Sequence, residues 1–126
     1  MIAGVGTDVV DIDRFRKLED RAEFLAQVFT RTEIRHAPDG PSQETFYATL
    51  FATKEALLKA LGCGLESVSL WRDVQITHDW RPRLSGLLRR LAREKSVSKI
   101  HISHSHSDKT AVAFVVMETT NREAVQ

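Results

Sequence analysis

The chain has 126 residues and a mass of 14.2 kDa, the size of one domain, so we expect a single domain over residues 1–126. Hydrophobic residues make up 42% and charged residues 28%, which is typical of a globular protein and argues against disorder. Eighteen basic and seventeen acidic side chains leave a net charge of +1, too balanced for a dedicated DNA-binding protein. A lone cysteine, Cys63, excludes a scaffold held by internal disulfides. The first residues contain neither a basic segment nor a long apolar run, so we expect a cytoplasmic protein without a membrane span.

The beginning of the chain predicts a strand followed by a helix. Residues 2–10 are rich in β-branched side chains and glycine, which favours a strand that runs into a turn. Asp11 or Asp13 can cap a helix in which apolar residues recur at steps of three and four. A neighbouring face of that helix carries a stripe of three basic residues, Arg14, Lys17 and Arg21.

Two more helices are predicted in the first half of the chain. Thr30 and Glu33 fit a capping box, in which each side chain accepts a hydrogen bond from the other's free backbone donor. After a proline- and glycine-containing break at residues 38–41, a long helix spans about residues 43–61. Its apolar residues lie on more than one face, so we expect it to be largely buried, and Gly62 should end it.

The second half of the chain predicts strands around one amphipathic helix. Residues 74–78 alternate in polarity, and leucines at positions 84, 87, 88 and 91 follow a helical period. Residues 100–105 form an alternating strand, and residues 111–117 form a continuously apolar one. A continuously apolar strand is usually buried on both faces, which here indicates a covering helix or a subunit interface. The predicted fold class is α+β.

Two acidic residues stand out by their surroundings. Asp8 ends an apolar strand that contains Gly4 and Gly6, where it can also serve as a helix cap. Glu55 and Lys59 have the spacing of an exposed ion pair, worth about 0.3 kcal/mol. Apolar neighbours would partly desolvate both charges, and such charges usually have a partner or a chemical role. If the two carboxylates converge, they can hold Mg²⁺ and leave room for phosphate oxygens, with Lys59 neutralising phosphate charge or accepting a proton.

Three histidines at residues 101–106 suggest a zinc site or a hydrolase. On a strand, His101 points to one face, whereas His104 and His106 point to the other, and no cysteine lies near, which disfavours zinc. Ser103 and His104 point to opposite faces and no Gly-x-Ser-x-Gly motif occurs, which disfavours a serine hydrolase. Ligand contacts from this strand remain open.

Three segments of the chain form a recognisable set. Residues 4–14 read Gly-Val-Gly-Thr-Asp-Val-Val-Asp-Ile-Asp-Arg, and residues 51–64 read Phe-Ala-Thr-Lys-Glu-Ala-Leu-Leu-Lys-Ala-Leu-Gly-Cys-Gly. Ile-Ser-His at residues 102–104 precedes Ala-Val-Ala-Phe-Val-Val at residues 111–116. In order and spacing, the set resembles the signatures of the holo-acyl-carrier-protein synthases, which are small phosphopantetheinyl transferases. The resemblance covers almost the whole chain.

The resemblance implies an architecture and a reaction. The resemblance implies a mainly antiparallel sheet packed on a long helix. It also implies a homotrimer with active sites between subunits. The implied cofactor is Mg²⁺, bound by Asp8 and Glu55, and the co-substrate is coenzyme A. A serine of an apo acyl carrier protein would attack the phosphate that bears the pantetheine arm, releasing 3',5'-ADP. Lys59 would contact phosphate, and either Glu55 or a metal-held water would take the serine proton.

The resemblance also implies binding residues for both substrates. The implied coenzyme A contacts are Arg81, Pro82, Ser103 and His104. Arg14 matches an arginine that the family uses on its acidic carrier protein, and a basic stripe suits such a partner. The implied carrier contacts are Arg14, Lys17 and Arg21.

Two departures from the family pattern concern the nucleotide. Leu50 stands where many members carry an arginine, and Trp80-Arg-Pro82 replaces Gly-Lys-Pro. Recognition of the coenzyme A 3'-phosphate therefore stays open, although the basic run at residues 81–95 can compensate. A transferase with altered donor or carrier choice and a non-catalytic carrier-binding relative are the alternatives. Nucleic-acid binding is disfavoured by the balanced charge and the aromatic content of 7%.

Overall fold

The computed structural model describes residues 1–63 and 70–120, in which a long helix packs against an antiparallel sheet. In chain order the elements are β1 (Ile2–Asp11), α1 (Asp13–Arg16), α2 (Arg21–Val28), α3 (Arg31–His36), a short 3-10 helix (Gly40–Ser42), α4 (Gln43–Ala60), β2 (Val74–Ile76), β3 (Pro82–Leu84), α5 (Gly86–Glu94), β4 (Val97–His106) and β5 (Thr110–Thr119). The main sheet has the strand order β1-β5-β4, and β2 pairs with β3. The predicted α+β class and the long helix are confirmed.

Helix α4 lies so close to β1 that two positions of the strand have no room for a side chain. A Cβ atom at Gly4 would lie 2.0 Å from the Ala60 carbonyl oxygen. A Cβ atom at Gly6 would lie 1.9 Å from the Ala56 carbonyl oxygen. The two glycines of β1 therefore set the distance between the sheet and the helix.

Helix α4 is buried around most of its circumference, as predicted. Its C-terminal end is at the predicted glycine, because Gly62 adopts a φ of +82°, the left-handed conformation that ends helices. Gly64 lies outside the described residues. The capping box of Thr30 and Glu33 is also confirmed, with both reciprocal hydrogen bonds formed.

The two faces of the main sheet differ in what covers them. The inner face packs on α4 and contains the buried apolar residues of β5, which are Ala111, Ala113, Val115 and Met117. The outer face carries exposed apolar side chains on β1 and β5, and these include Val5, Val9, Val112 and Phe114. The predicted burial of β5 on both faces is thus found for one face only within a single chain.

The single helix predicted after β1 is wrong, because the chain forms two short helices there. The N-cap of the first is Ile12, which precedes Asp13, and Asp11 Oδ1 accepts the Asp13 N–H at 3.0 Å from the position before that cap. Lys17 then leaves the helical conformation, and α2 begins after Asp20. The break lets the rings of Phe15 and Phe24 pack edge to face at 5.7 Å, which one straight helix would not permit.

The hairpin of β2 and β3 replaces part of the predicted strand and helix. Strand β2 ends at Ile76, so His78 lies beyond it. Leu84, which was expected in the following helix, pairs with Val74 in β3. The Ser85 N–H donates a hydrogen bond to the Asp73 carbonyl oxygen, which extends the pairing beyond Leu84. Helix α5 therefore begins only at Gly86. Across the described ranges, no helix is both long and apolar enough to cross a membrane.

Candidate active site

Asp8 and Lys59 meet where β1 crosses α4. The Lys59 ammonium donates hydrogen bonds to Asp8 Oδ1 at 3.0 Å and to the Thr7 carbonyl oxygen at 3.0 Å. The Asp8 side chain is only 17% exposed. Glu55 lies one turn before Lys59 on the same helix and is half-buried. Lys59 thus pairs with Asp8 across two elements, and the Glu55–Lys59 ion pair that the spacing allowed is not found among the described residues.

An open groove of about 320 Å³ lies beside these residues. It is lined by Asp8, Val9, Val10, Arg14, Phe51, Glu55 and Trp71. The carboxylates of Asp8 and Glu55 face the same space, which is the donor chemistry that Mg²⁺ prefers. Residues 1–63 and 70–120 contain no group of three or more potential metal ligands, so the remaining ligands would come from water or a bound phosphate. The two carboxylates therefore fit a hard cation that shares its coordination with substrate.

A fully buried ion pair lies behind the groove. Lys54 and Glu33 are each 0% exposed, and their charged atoms are 2.6 Å apart. Lys54 also donates to the carbonyl oxygens of Val28 at 2.9 Å and Trp71 at 3.0 Å, while Glu33 Oε2 accepts the Ile76 N–H at 2.7 Å. Burial lowers the pKa of Lys54, and the Glu33 carboxylate opposes that effect. The pair joins α3, α4 and β2 to the segment that carries Trp71.

Trp71 is a residue that sequence analysis missed. Its indole N–H donates a hydrogen bond to Glu55 Oε1. Sixteen positions separate the two residues, and no periodic pattern links them. The sequence offers only one signal, an aromatic residue a few positions after the segment 51–64. An aromatic residue predicts burial and no specific contact.

His104 lies on the inner face of β4 and packs against Trp80. The ring centroids are 3.9 Å apart, with an interplanar angle of 37°. Burial lowers the pKa of His104, and nearby His106 lowers it further. Ser103 pairs with Phe114 on the outer face of the sheet, so Ser103 and His104 point in opposite directions, as predicted.

The other two residues implied in coenzyme A binding are near the β2–β3 hairpin. Arg81 is exposed and forms an ion pair with Asp79 at 3.3 Å. Pro82 is the first residue of β3. Neither residue lines the groove of Asp8 and Glu55 in the same chain, and the same holds for Ser103 and His104.

The three basic residues near the N-terminus do not form one stripe, because they lie on different elements. Arg14 in α1 is exposed and lines the groove. Lys17 is also exposed and follows α1 directly. Arg21 points inward, where it forms an ion pair with Glu44 at 3.3 Å and donates to Gln43. The expectation of a continuous stripe is therefore wrong. Through these two contacts Arg21 connects α2 to the start of α4.

Comparison with known proteins decides the family. Residues 4–116 match the model of the 4'-phosphopantetheinyl transferase superfamily. The chain belongs to this superfamily. The holo-[acyl-carrier-protein] synthase of Geobacter sulfurreducens is 39% identical over 124 residues, covering 94% of this chain and 98% of the relative.

Solved structures show the same superfamily fold. The holo-[acyl-carrier-protein] synthase of Neisseria meningitidis has a TM-score of 0.78 at 32% identity and covers 94% of this chain and 100% of its own. The holo-(acyl-carrier-protein) synthase of Bacillus anthracis, solved in complex with CoA (3',5'-ADP), has a TM-score of 0.74 at 31% identity. That match covers 95% of this chain and 99% of the other.

Two positions depart from the superfamily signatures, and both lie near the same small cavity. Leu50 is 2% exposed and lines a cavity of about 90 Å³ together with Phe46 and Trp80. Trp80 has a φ of +61°, the left-handed region in which a bulky residue costs about 1–2 kcal/mol. Trp80 thus keeps a backbone conformation suited to glycine while adding an aromatic ring beside His104.

Proposed function

We propose that this chain is a magnesium-dependent holo-acyl-carrier-protein synthase formed by one domain over residues 1–126. It transfers 4'-phosphopantetheine from coenzyme A to a serine of an apo acyl carrier protein in the cytoplasm. The observation that carries this proposal is the groove that Asp8 and Glu55 line together within a superfamily fold, with Lys59 paired to Asp8 at 3.0 Å. A module that only binds carriers would have no need for two converging carboxylates beside a lysine.

The two carboxylates of the groove and Lys59, which is paired with Asp8, have separate roles in this reaction. Mg²⁺, when bound by Asp8 and Glu55, supplies charge stabilisation for the pyrophosphate and the leaving 3',5'-ADP. Lys59 lies 3.0 Å from Asp8 and neutralises phosphate charge at the same place. Glu55, or a water that it holds, takes the proton of the attacking serine hydroxyl. The phosphate that bears the pantetheine arm then bonds to the serine oxygen as its bond to the ADP oxygen breaks.

We assign coenzyme A contacts to Arg81, Pro82, Ser103 and His104. None of these residues lines the groove of its own chain, so we place the complete site between neighbouring subunits of a homotrimer. The exposed apolar outer face of β1 and β5 supports such an interface. Leu50 provides no cation for the 3'-phosphate of coenzyme A. We assign that role to three exposed arginines of α5, which are Arg89, Arg90 and Arg93.

We assign the carrier contact to Arg14 and Lys17, with Arg21 holding the adjacent helix in place. Arg14 lines the groove and has no ion-pair partner among the described residues, so its charge is available to an acidic carrier helix. Its position beside Glu55 also suits a carrier that must deliver a serine into the groove.

Replacing either carboxylate of the groove tests this assignment. Asp8→Ala and Glu55→Ala should each lower phosphopantetheine transfer by about 1000-fold, because several kcal/mol of charge stabilisation are lost. Both variants should retain the wild-type circular dichroism spectrum. Asp39→Ala, which removes an exposed carboxylate before the 3-10 helix, is the matched control and should retain full turnover. Turnover near the wild-type rate in either groove variant would remove that residue from the site.

A further inference from the structure

Trp71 stands between the buried core and the Glu55 carboxylate. Its indole N–H donates to Glu55 Oε1, and its ring packs against Phe51 at 5.5 Å between centroids. Within the described ranges, this is the only hydrogen bond to the Glu55 side chain. One carboxylate oxygen is therefore engaged, and the other is available to a ligand.

The Trp71 backbone is itself held by the residue that precedes Glu55. The Lys54 ammonium donates to the Trp71 carbonyl oxygen at 3.0 Å, and Lys54 is fully buried against Glu33. Adjacent residues of α4 thus fix both the main chain and the side chain of Trp71. A side chain with so little freedom can hold a carboxylate in one orientation.

We propose that Trp71 is a positioning residue that orients Glu55 to present a single oxygen to Mg²⁺. This inference rests on the proposed function, and it adds a residue outside the three signature segments to the site. A carboxylate that is free to rotate would lose conformational entropy when it binds the ion. Glu55 is already ordered by Trp71, so it loses less entropy and binds the ion more tightly. Loss of such a supporting hydrogen bond typically lowers metal affinity by about 10- to 100-fold.

The composition of the chain provides a matched pair of variants. Trp71 and Trp80 are its two tryptophans, and within the described ranges the Trp80 indole N–H has no hydrogen-bond partner. Mn²⁺ binding should be measured by electron paramagnetic resonance with coenzyme A present and carrier protein absent. Trp71→Phe keeps the ring packing and should bind Mn²⁺ at least about tenfold more weakly than wild type. Trp80→Phe removes the other indole but keeps a ring beside His104, so at a coenzyme A concentration that saturates each variant it should bind Mn²⁺ as wild type does. Wild-type Mn²⁺ affinity in Trp71→Phe would overturn the proposal.

A second measurement does not depend on the stability of Trp71→Phe. In Trp80→Phe, Trp71 is the sole tryptophan, and filling the site with Mg²⁺ should change its fluorescence because the ion withdraws charge from Glu55. Adding Glu55→Gln to Trp80→Phe should abolish that change. An unchanged Trp71 spectrum at Mg²⁺ concentrations that fill the site would contradict the proposal.

The outcomes also separate this inference from the proposed function. If Asp8→Ala and Glu55→Ala lose Mn²⁺ binding but Trp71→Phe does not, only the role of Trp71 is wrong. If the wild-type protein with coenzyme A binds no Mn²⁺, the metal assignment fails, and the role of Trp71 fails with it.

Discussion

At the scale of single residues, position in the fold decides which charged side chains meet at the candidate site. The clustering of Asp8, Glu55 and Lys59 is predictable because charges next to apolar residues on a strand and a helix stand out from the sequence. Trp71 was not predictable, since its contact with Glu55 depends on how two separate segments pack. Arg21 shows what charge alone does not reveal, because its basic charge predicts a partner outside the chain, whereas its side chain forms an ion pair with Glu44 inside the chain.

Arg14 provides a test of carrier recognition at this scale. Arg14→Ala should raise the KM for the carrier protein several-fold and leave the KM for coenzyme A unchanged, because the guanidinium lines the groove and has no ion-pair partner within residues 1–63 and 70–120. Steady-state kinetics at low and high salt would measure both constants, and the effect should shrink as salt increases. Arg31→Ala removes an exposed arginine from α3 and serves as the control. An unchanged carrier KM in Arg14→Ala would place the carrier elsewhere.

At the scale of elements, packing between β1 and α4 is the feature that builds the site. The sequence pattern identifies both elements, and their contact follows from two glycines that leave no space for a Cβ atom. The shorter elements were harder to predict. Strand β3 has three residues and begins with a proline, so its pairing with β2 produces no periodic pattern. The break between α1 and α2 likewise depends on tertiary packing of phenylalanine rings.

Gly6→Ala tests the importance of this close packing. The added Cβ would lie 1.9 Å from a backbone oxygen of α4, so the helix must move, and we expect a loss of about 3 kcal/mol in the free energy of unfolding. Turnover should also fall, because Glu55 and Lys59 move with the helix away from Asp8. Urea unfolding and transfer assays on the same preparation would report both quantities.

Gly40→Ala separates backbone strain from packing. Gly40 has a φ of +82° with no atom within 4 Å of an added Cβ, so the variant should lose about 1–2 kcal/mol and retain wild-type turnover. If Gly6→Ala matched the wild type in both stability and turnover, the role assigned to the glycines of β1 would be wrong.

At the scale of the whole molecule, the sheet has one apolar face that a single chain leaves uncovered. Val9 is 66% and Phe114 is 48% exposed, and with Val112, the partner of Val9, they form a contiguous apolar patch of the kind that marks a protein interface. The apolar run of β5 predicted burial on both faces, and the chain itself accounts for only one. A trimer closed through this face would bury the other.

Phe114→Glu tests that assembly. A carboxylate in the middle of the outer face should resist burial, so the variant should sediment as a 14.2 kDa chain, whereas the wild type should sediment as the proposed trimer. Leu87→Glu places the same charge on an exposed apolar position of α5 and should leave the trimer intact. A monomeric wild type, or a trimeric Phe114→Glu, would contradict the proposed interface.

The proposed reaction is magnesium-dependent transfer of phosphopantetheine to a carrier protein. Its most direct measurement is the intact mass of an apo acyl carrier protein after incubation with this protein, coenzyme A and Mg²⁺. Fatty-acid, polyketide and peptide carriers should each be assayed, because the fold does not distinguish them. We expect at least one carrier to gain the mass of a single phosphopantetheine group, and EDTA should abolish the gain. A folded protein that modifies none of the three carriers, or one that works equally well in EDTA, would contradict the account.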